Sequence, residues 1–169
     1  MDSLSAAVEF SLTQETGEHL SGRGLVTVVY PDRFRLTILS PFGSVIADLV
    51  GDGGEMLFID HQQKSYIRQR QGDPPLIPFA ETLSAIPRVV KPLSPAPCPP
   101  GGDLPPFRIV EMEPVQSLCI PRVIDFVGKG GNVRIRLDDL ELNPSIEPDS
   151  LTPNLGDFHE TYGIVPEGR

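Results

Sequence analysis

Hydrophobic and polar residues alternate with a period of two along much of this chain, the pattern of β-strands with one apolar face. The clearest run is residues 33–60. Phe34, Leu36 and Ile38 alternate with Arg33, Arg35 and Thr37. Ser40-Pro41-Phe42-Gly43 breaks the run, because proline lacks a ladder donor and glycine tolerates turn dihedrals. Val45 to Val50 resumes as a strand, Gly51-Asp52-Gly53-Gly54 turns again, and Met56 to Asp60 follows. Short strands on tight turns predict an antiparallel meander. Phe42 is the odd residue of the stretch, a large apolar side chain at the tip of a turn.

The same period predicts strands over 6–14 and 25–30, with a glycine-containing loop over 17–24 between them, and a short strand over 65–68. Residues 78–90 change period. Phe79, Leu83 and Ile86 fall at helical spacing, Pro78 suits a first helical turn, and Pro87 is expected to end or kink the run. One short amphipathic helix is predicted there. Residues 91–106 are proline-dense and read as extended. Strands return over 107–112, 120–127 and 133–140, with a turn at 128–132. Residues 143–169 are polar and form a C-terminal extension. Phe158, Tyr162 and Ile164 either tack it onto the sheet or leave it as a frayed end.

Together these elements predict one domain over 1–169, mainly β with an inserted helix. An antiparallel sheet with one apolar face and one helix to cover it is served best by curling into an open half-barrel with the helix as a lid. The inner face would then carry Phe10, Val28, Phe34, Leu36, Ile38, Phe126, Ile135 and Leu137. The lid would add Phe79, Leu83 and Ile86. These residues are the candidate lining of an apolar cavity.

Charge narrows the function. The formal net charge of -9 argues against nucleic acid, whose phosphates need a basic surface. No apolar run reaches the roughly 18 residues that a membrane span needs. The start, MDSLSAAVEF, lacks a basic region followed by an apolar core. A cytosolic protein and a mature exported fragment with an added Met are both consistent with it. Cys98 and Cys119 have no metal-ligand spacing. They are either a disulfide across the proline-rich loop, in an oxidising compartment, or two unrelated buried thiols.

Chemistry-bearing patterns are missing. His19, His61 and His159 fall in predicted loops or the tail, without ligand spacing, and surface roles are expected. Asp138 and Asp139 would point to opposite faces of a strand. The glycine-rich segments at 51–54 and 128–131 read as hairpin turns, not as phosphate cradles. No enzyme, metal or cofactor is expected.

Three segments carry a resemblance: Arg33 to Leu36 leading into Pro41-Phe42-Gly43 and then Val45 to Val50; the helical segment 80–90; and Ile120-Pro121 with the hairpin over 123–140. They resemble the LolA/LolB-like family of periplasmic lipoprotein-binding proteins, the outer-membrane receptor LolB most of all. The resemblance spans most of residues 8–142. It implies a curved sheet whose apolar cavity takes lipoprotein acyl chains or lipid, and transfer without covalent chemistry. It also implies that Phe42, at the position of a protruding apolar residue, contacts the membrane. A LolA-like carrier as partner, a monomer, and a periplasmic site at the outer membrane are further implications, with a lipid anchor in the full-length protein. The chain departs from the family pattern in lacking tryptophan and in running on past Asn143. The alternative expectation is an envelope protein that binds a protein partner on the same scaffold.

Overall fold

The computed structural model describes residues 2–74, 76–77, 83–92, 97–128 and 131–162. Six strands follow the first half of the chain: β1 (Ser3–Gln14), β2 (His19–Val29), β3 (Arg33–Leu39), β4 (Val45–Asp52), β5 (Glu55–Asp60) and β6 (Ser65–Arg70). A single helical turn, α1 (Ile86–Val89), precedes β7 (Asp103–Leu104), β8 (Phe107–Val115), β9 (Leu118–Gly128) and β10 (Gly131–Leu142). A short 3-10 helix (Pro148–Leu151) and β11 (His159–Thr161) complete the described chain.

All eleven strands form one sheet in the order β11-β6-β5-β4-β3-β2-β1-β10-β9-β8-β7. It consists of two antiparallel meanders, β1–β6 and β7–β10, joined where β1 pairs with β10. The sheet does not close, since β11 and β7 are its two ends. The mainly-β, open half-barrel architecture expected from the alternation is therefore what the chain adopts.

The period-two pattern explains the layers. Leu4, Ala6 and Val8 of β1, Val26 and Val28 of β2, Phe34 of β3 and Leu137 of β10 are buried on one face. Asp139, at φ 51, lies where the β1–β10 register shifts. That extra residue flips the alternation, so Leu142 returns to the buried core beside Leu137 and the half-buried Leu140 packs against it. Asp138 accepts from Arg122 at 2.9 Å.

Strand β2 begins earlier than expected. Gly22 and Gly24 belong to it and not to a loop. Glycine is required for packing here: a Cβ at Gly22 would lie 2.4 Å from the Phe10 ring. Gly51 gives way to Phe34 in the same manner, at 2.3 Å. Glycine opposite an aromatic ring is thus how the inner face fits its two largest inward side chains on these strands.

Helix α1 covers part of the inner face with Ile86 and Val89 buried, and Leu83 packs against the same core. Pro87 lies in its first turn, where the missing N–H costs nothing. The helical run through Leu83 and Ser84 breaks at Ala85, the interruption beside Pro87 that the sequence predicts, and resumes as α1 with Pro87 in its first turn. Residues 78–82, and with them the lid candidate Phe79, lie outside the described residues. Tyr30, at the end of β2, donates its hydroxyl to the Val90 carbonyl at 3.1 Å and ties the lid's end to the sheet. Burial pushes the Tyr30 phenol above its ordinary range.

The C-terminal extension packs on the other face. β11 pairs in parallel with β6. Phe158 and Leu155 cover Val50, Leu57 and Ile59. Tyr162 is 84% exposed, and Ile164 lies outside the described residues.

Cys98 and Cys119 are joined in a disulfide, which fastens the proline-rich segment to β9. Their separation of 21 positions sets an unfolded-state constraint worth about 3 kcal/mol in the loop-entropy model. Replacing both cysteines by alanine should lower the unfolding free energy by about that amount. Urea melts of the two proteins check this; coincident curves would show that the crosslink constrains nothing.

Candidate functional site

The candidate site is the inner face of the sheet under α1. A dry cavity remains there, lined by Val8, Val26, Leu36, Leu83, Ile86 and Ile135 among others, all apolar. Its volume is ≈ 40 Å³, little more than one water molecule's share of liquid, about 30 Å³. Drug-sized ligands occupy roughly 300–1,000 Å³. The protein's own side chains thus occupy most of the space between α1 and the sheet.

The sequence-derived lining divides accordingly. Leu36, Leu83, Ile86, Ile135 and Leu137 surround the cavity. Val28, Phe34 and Phe126 are buried core beside it, with Phe10 packed against them. Ile38 is half-buried toward the Phe42 end of β3. Val89, Val90, Phe107 and Ile124 line the cavity as well. The strand signal contains Phe107 and Ile124. Val89 and Val90 lie beyond Pro87, which reads as a stop.

Phe42 is 97% exposed at the tip of the β3–β4 turn. The turn beneath it is built, not loose. Ser40 N donates to Ser44 O at 2.8 Å and Gly43 N to Ser40 O at 2.9 Å. The Ser40 and Ser44 hydroxyls lie 2.7 Å apart. Arg23 Nη2 donates to Pro41 O at 2.8 Å. Gly43 sits at φ +86, the left-handed region that glycine tolerates. An apolar ring is therefore held in water on a fixed platform. Leu25 and Val45, on the neighbouring strands, are also exposed.

On the outer face, Asp48 is a buried carboxylate with a full set of donors. Arg35 donates from Nε and Nη2, each at 2.9 Å, and Thr37 Oγ1 donates at 2.6 Å. His61 Nε2 lies 2.7 Å away, and its ring meets Phe158 edge-on at 5.5 Å. Arg35 Nη1 reaches on to the Ser150 carbonyl at 2.7 Å. His61 is thus part of a structural network and not a free surface residue. Burial alone would raise the Asp48 pKa, but the hydrogen bonds from Arg35, Thr37 and His61 outweigh it and hold the carboxyl below its ordinary range. No local pattern marks this network, because Asp48 lies within β4 and His61 follows β5. It fastens the C-terminal extension.

Among the described residues no group of His, Cys, Asp and Glu is placed to hold a metal ion. Nor is any described helix long and apolar enough to cross a membrane. No family model matches the chain, and no curated protein matches it. Its likeness is to solved structures. A DUF1329 family protein from Desulfovibrio piger superposes with a TM-score of 0.62 at 7% identity, covering 88% of each chain. An uncharacterized conserved protein from Thermus thermophilus superposes with a TM-score of 0.52 at 12% identity, covering 95% of this chain and 90% of that one. At such identities the likeness concerns the fold alone.

Asp48→Asn should cost about 3 kcal/mol or more, because it strips the charge that the Arg35 guanidinium faces in a buried site. A carboxyl with a depressed folded-state pKa stabilises fully above its unfolded value, about 4, and loses that contribution as pH falls through the folded value. The variant's stability should accordingly fall less on the acid side than the parent's. Urea melts between about pH 7 and about pH 3 test this; parallel curves would remove Asp48 from the acid response.

Proposed function

We propose that this protein binds acyl chains of a lipoprotein or lipid and passes them on, without covalent chemistry, at the periplasmic face of the bacterial outer membrane. The observation that carries the reading is Phe42, 97% exposed on a turn fixed by hydrogen bonds. An isolated exposed apolar side chain is ordinary. One presented on a rigid platform at the end of a half-barrel is suited to dipping into a bilayer. The resemblance of 33–50 to the LolA/LolB-like family supports the same role for the same residue. The Cys98–Cys119 disulfide suits an oxidising compartment such as the periplasm.

The nearly filled interior shapes the mechanism. A chain enters by replacing the side chains of α1 on the inner face, so the lid moves aside as cargo arrives. Among the described residues the lid comprises Leu83, Ser84 and α1, its end held by the Tyr30–Val90 hydrogen bond. The cost of displacing it is offset as the incoming chain covers the same apolar surface. A LolA-like carrier would be the natural donor of the cargo, and the protein works as a monomer.

A second reading has one observation in its favour. Among the described residues, the outer side of β8 is paired with β7 through Phe107 and Arg108, and Ile109 N donates to the Gly102 carbonyl at 2.8 Å. The remainder of that edge is able to accept a strand from a protein partner. Glu111, Glu113 and Pro114 lie along it, and charges and proline are devices that discourage edge pairing. The lipid reading is preferred for that reason. Mass spectrometry of lipid retained on the purified protein separates the two.

Phe42→Glu should leave the unfolding free energy within about 0.5 kcal/mol of the parent, as for other exposed positions. It should slow acyl-chain transfer to vesicles by at least about tenfold, since a carboxylate resists entry into the bilayer by ~2 kcal/mol or more. Transfer at the parental rate would take the turn out of the mechanism.

A further inference from the structure

A second cavity opens at the end of the sheet away from Phe42. It is a cleft of ≈ 710 Å³ among the β2–β3 and β4–β5 turns, the segment after β6, and α1. Its floor is apolar: Phe34 and Met56, 1% and 4% exposed, together with Pro87. Leu36, next after Phe34 on the same face of β3, and Ile86, next before Pro87, line the dry cavity under the lid. The two spaces therefore adjoin along β3 and α1.

The walls of the cleft are charged in both signs. Asp32, Glu55, Asp73, Arg70 and Arg88 line it. Three of them are engaged. Glu55 pairs with Arg68 and with Arg70, and Asp73 Oδ2 accepts from the Arg70 backbone N–H. Gln69, at the cleft's base, is occupied too: its amide holds the backbone of Asp73, Pro74 and Leu76. Arg88 and Asp32 are exposed, and neither side chain has a hydrogen bond or ion pair to another described residue. A purely anionic group would meet Arg88 but also the acidic majority around it. A group carrying a cation and an anion together satisfies both free side chains.

We propose that this cleft binds the zwitterionic head of a phospholipid-type amphiphile, its phosphate toward Arg88 and its amine toward Asp32, with the chain passing Phe34 into the space under α1. The proposal rests on the acyl-chain reading above and selects its lipid arm, since the acylated end of a lipoprotein carries no such pair of charges. Charge-assisted contacts at a partly exposed site are worth roughly one order of magnitude in affinity each.

Titration calorimetry with a single-chain phosphoethanolamine lipid and a nonionic amphiphile of equal chain length tests it, both kept below their micelle thresholds. Arg88→Ala and Asp32→Ala are made in the full chain; both side chains are exposed, so the fold should survive. Each variant should bind the phosphoethanolamine lipid about tenfold more weakly than the parent and the nonionic amphiphile equally well. Unchanged affinity for both ligands, or an equal loss for both, would overturn the headgroup site while leaving chain uptake in place. Absence of binding of either ligand to the parent would overturn both readings together.

Discussion

A sheet with one apolar face has to cover it, and this sheet has too little chain left with which to do so. Its eleven strands curl but do not meet, because β11 and β7 end it on opposite sides. The inner face must be finished by something other than the sheet. Among the described residues that element is a single turn, α1, with Leu83 before it and Val90 after it. Burying side chains of this size stabilises by about 1.5–3 kcal/mol each. Leu83, Ile86, Val89 and Val90 together thus contribute roughly 6–12 kcal/mol to closure. A chain of about a dozen methylenes at about 0.8 kcal/mol each offers roughly 10 kcal/mol for the same surface. The two coverings are close to balanced, as the proposed uptake and release of a chain requires.

The opposite face is fastened differently. The C-terminal extension lies there, held by β11 on β6, by Phe158 and Leu155 on an aliphatic patch, and by the Arg35 bridge from Asp48 to Ser150. Polar and apolar contacts act together on that side, and the Asp48 carboxylate has no spare acceptor capacity near solvent. The result is a sheet with a firm back and a lightly held front. On the proposed reading, motion on binding falls to α1, whose end is tied to the sheet by the Tyr30 hydroxyl at the Val90 carbonyl.

The strands were legible because alternation is a local signal. Phe34, Leu36, Ile135 and Leu137 announce their face within a few residues, and the inner surface follows from them. The β1–β10 pairing that joins the two meanders is not local, and nothing near Val8 or Leu137 encodes it. Gly22 and Gly24 read as a loop, yet they are strand residues whose missing side chains make room for Phe10 and for the β3 backbone. Pro87 reads as the end or a kink of a helical run, and the run does break just before it, at Ala85, before resuming as α1. Asp48 and His61 looked unremarkable apart, since only folding brings them together. The degree to which the lid fills the interior is a matter of packing volume, which alternation does not report.

The proposed uptake requires a hydrocarbon chain to take the place of α1 against the inner face. Methyl-resolved NMR of the protein saturated with a single-chain lipid measures this directly. Intermolecular contacts between chain protons and the methyls of Val8, Leu36, Ile135 and Leu137, with those of Ile86 and Val89 shifted away from the sheet, are the expected result. Contacts confined to outward methyls such as those of Leu25 and Val127, with the inner set and α1 unchanged, would contradict it.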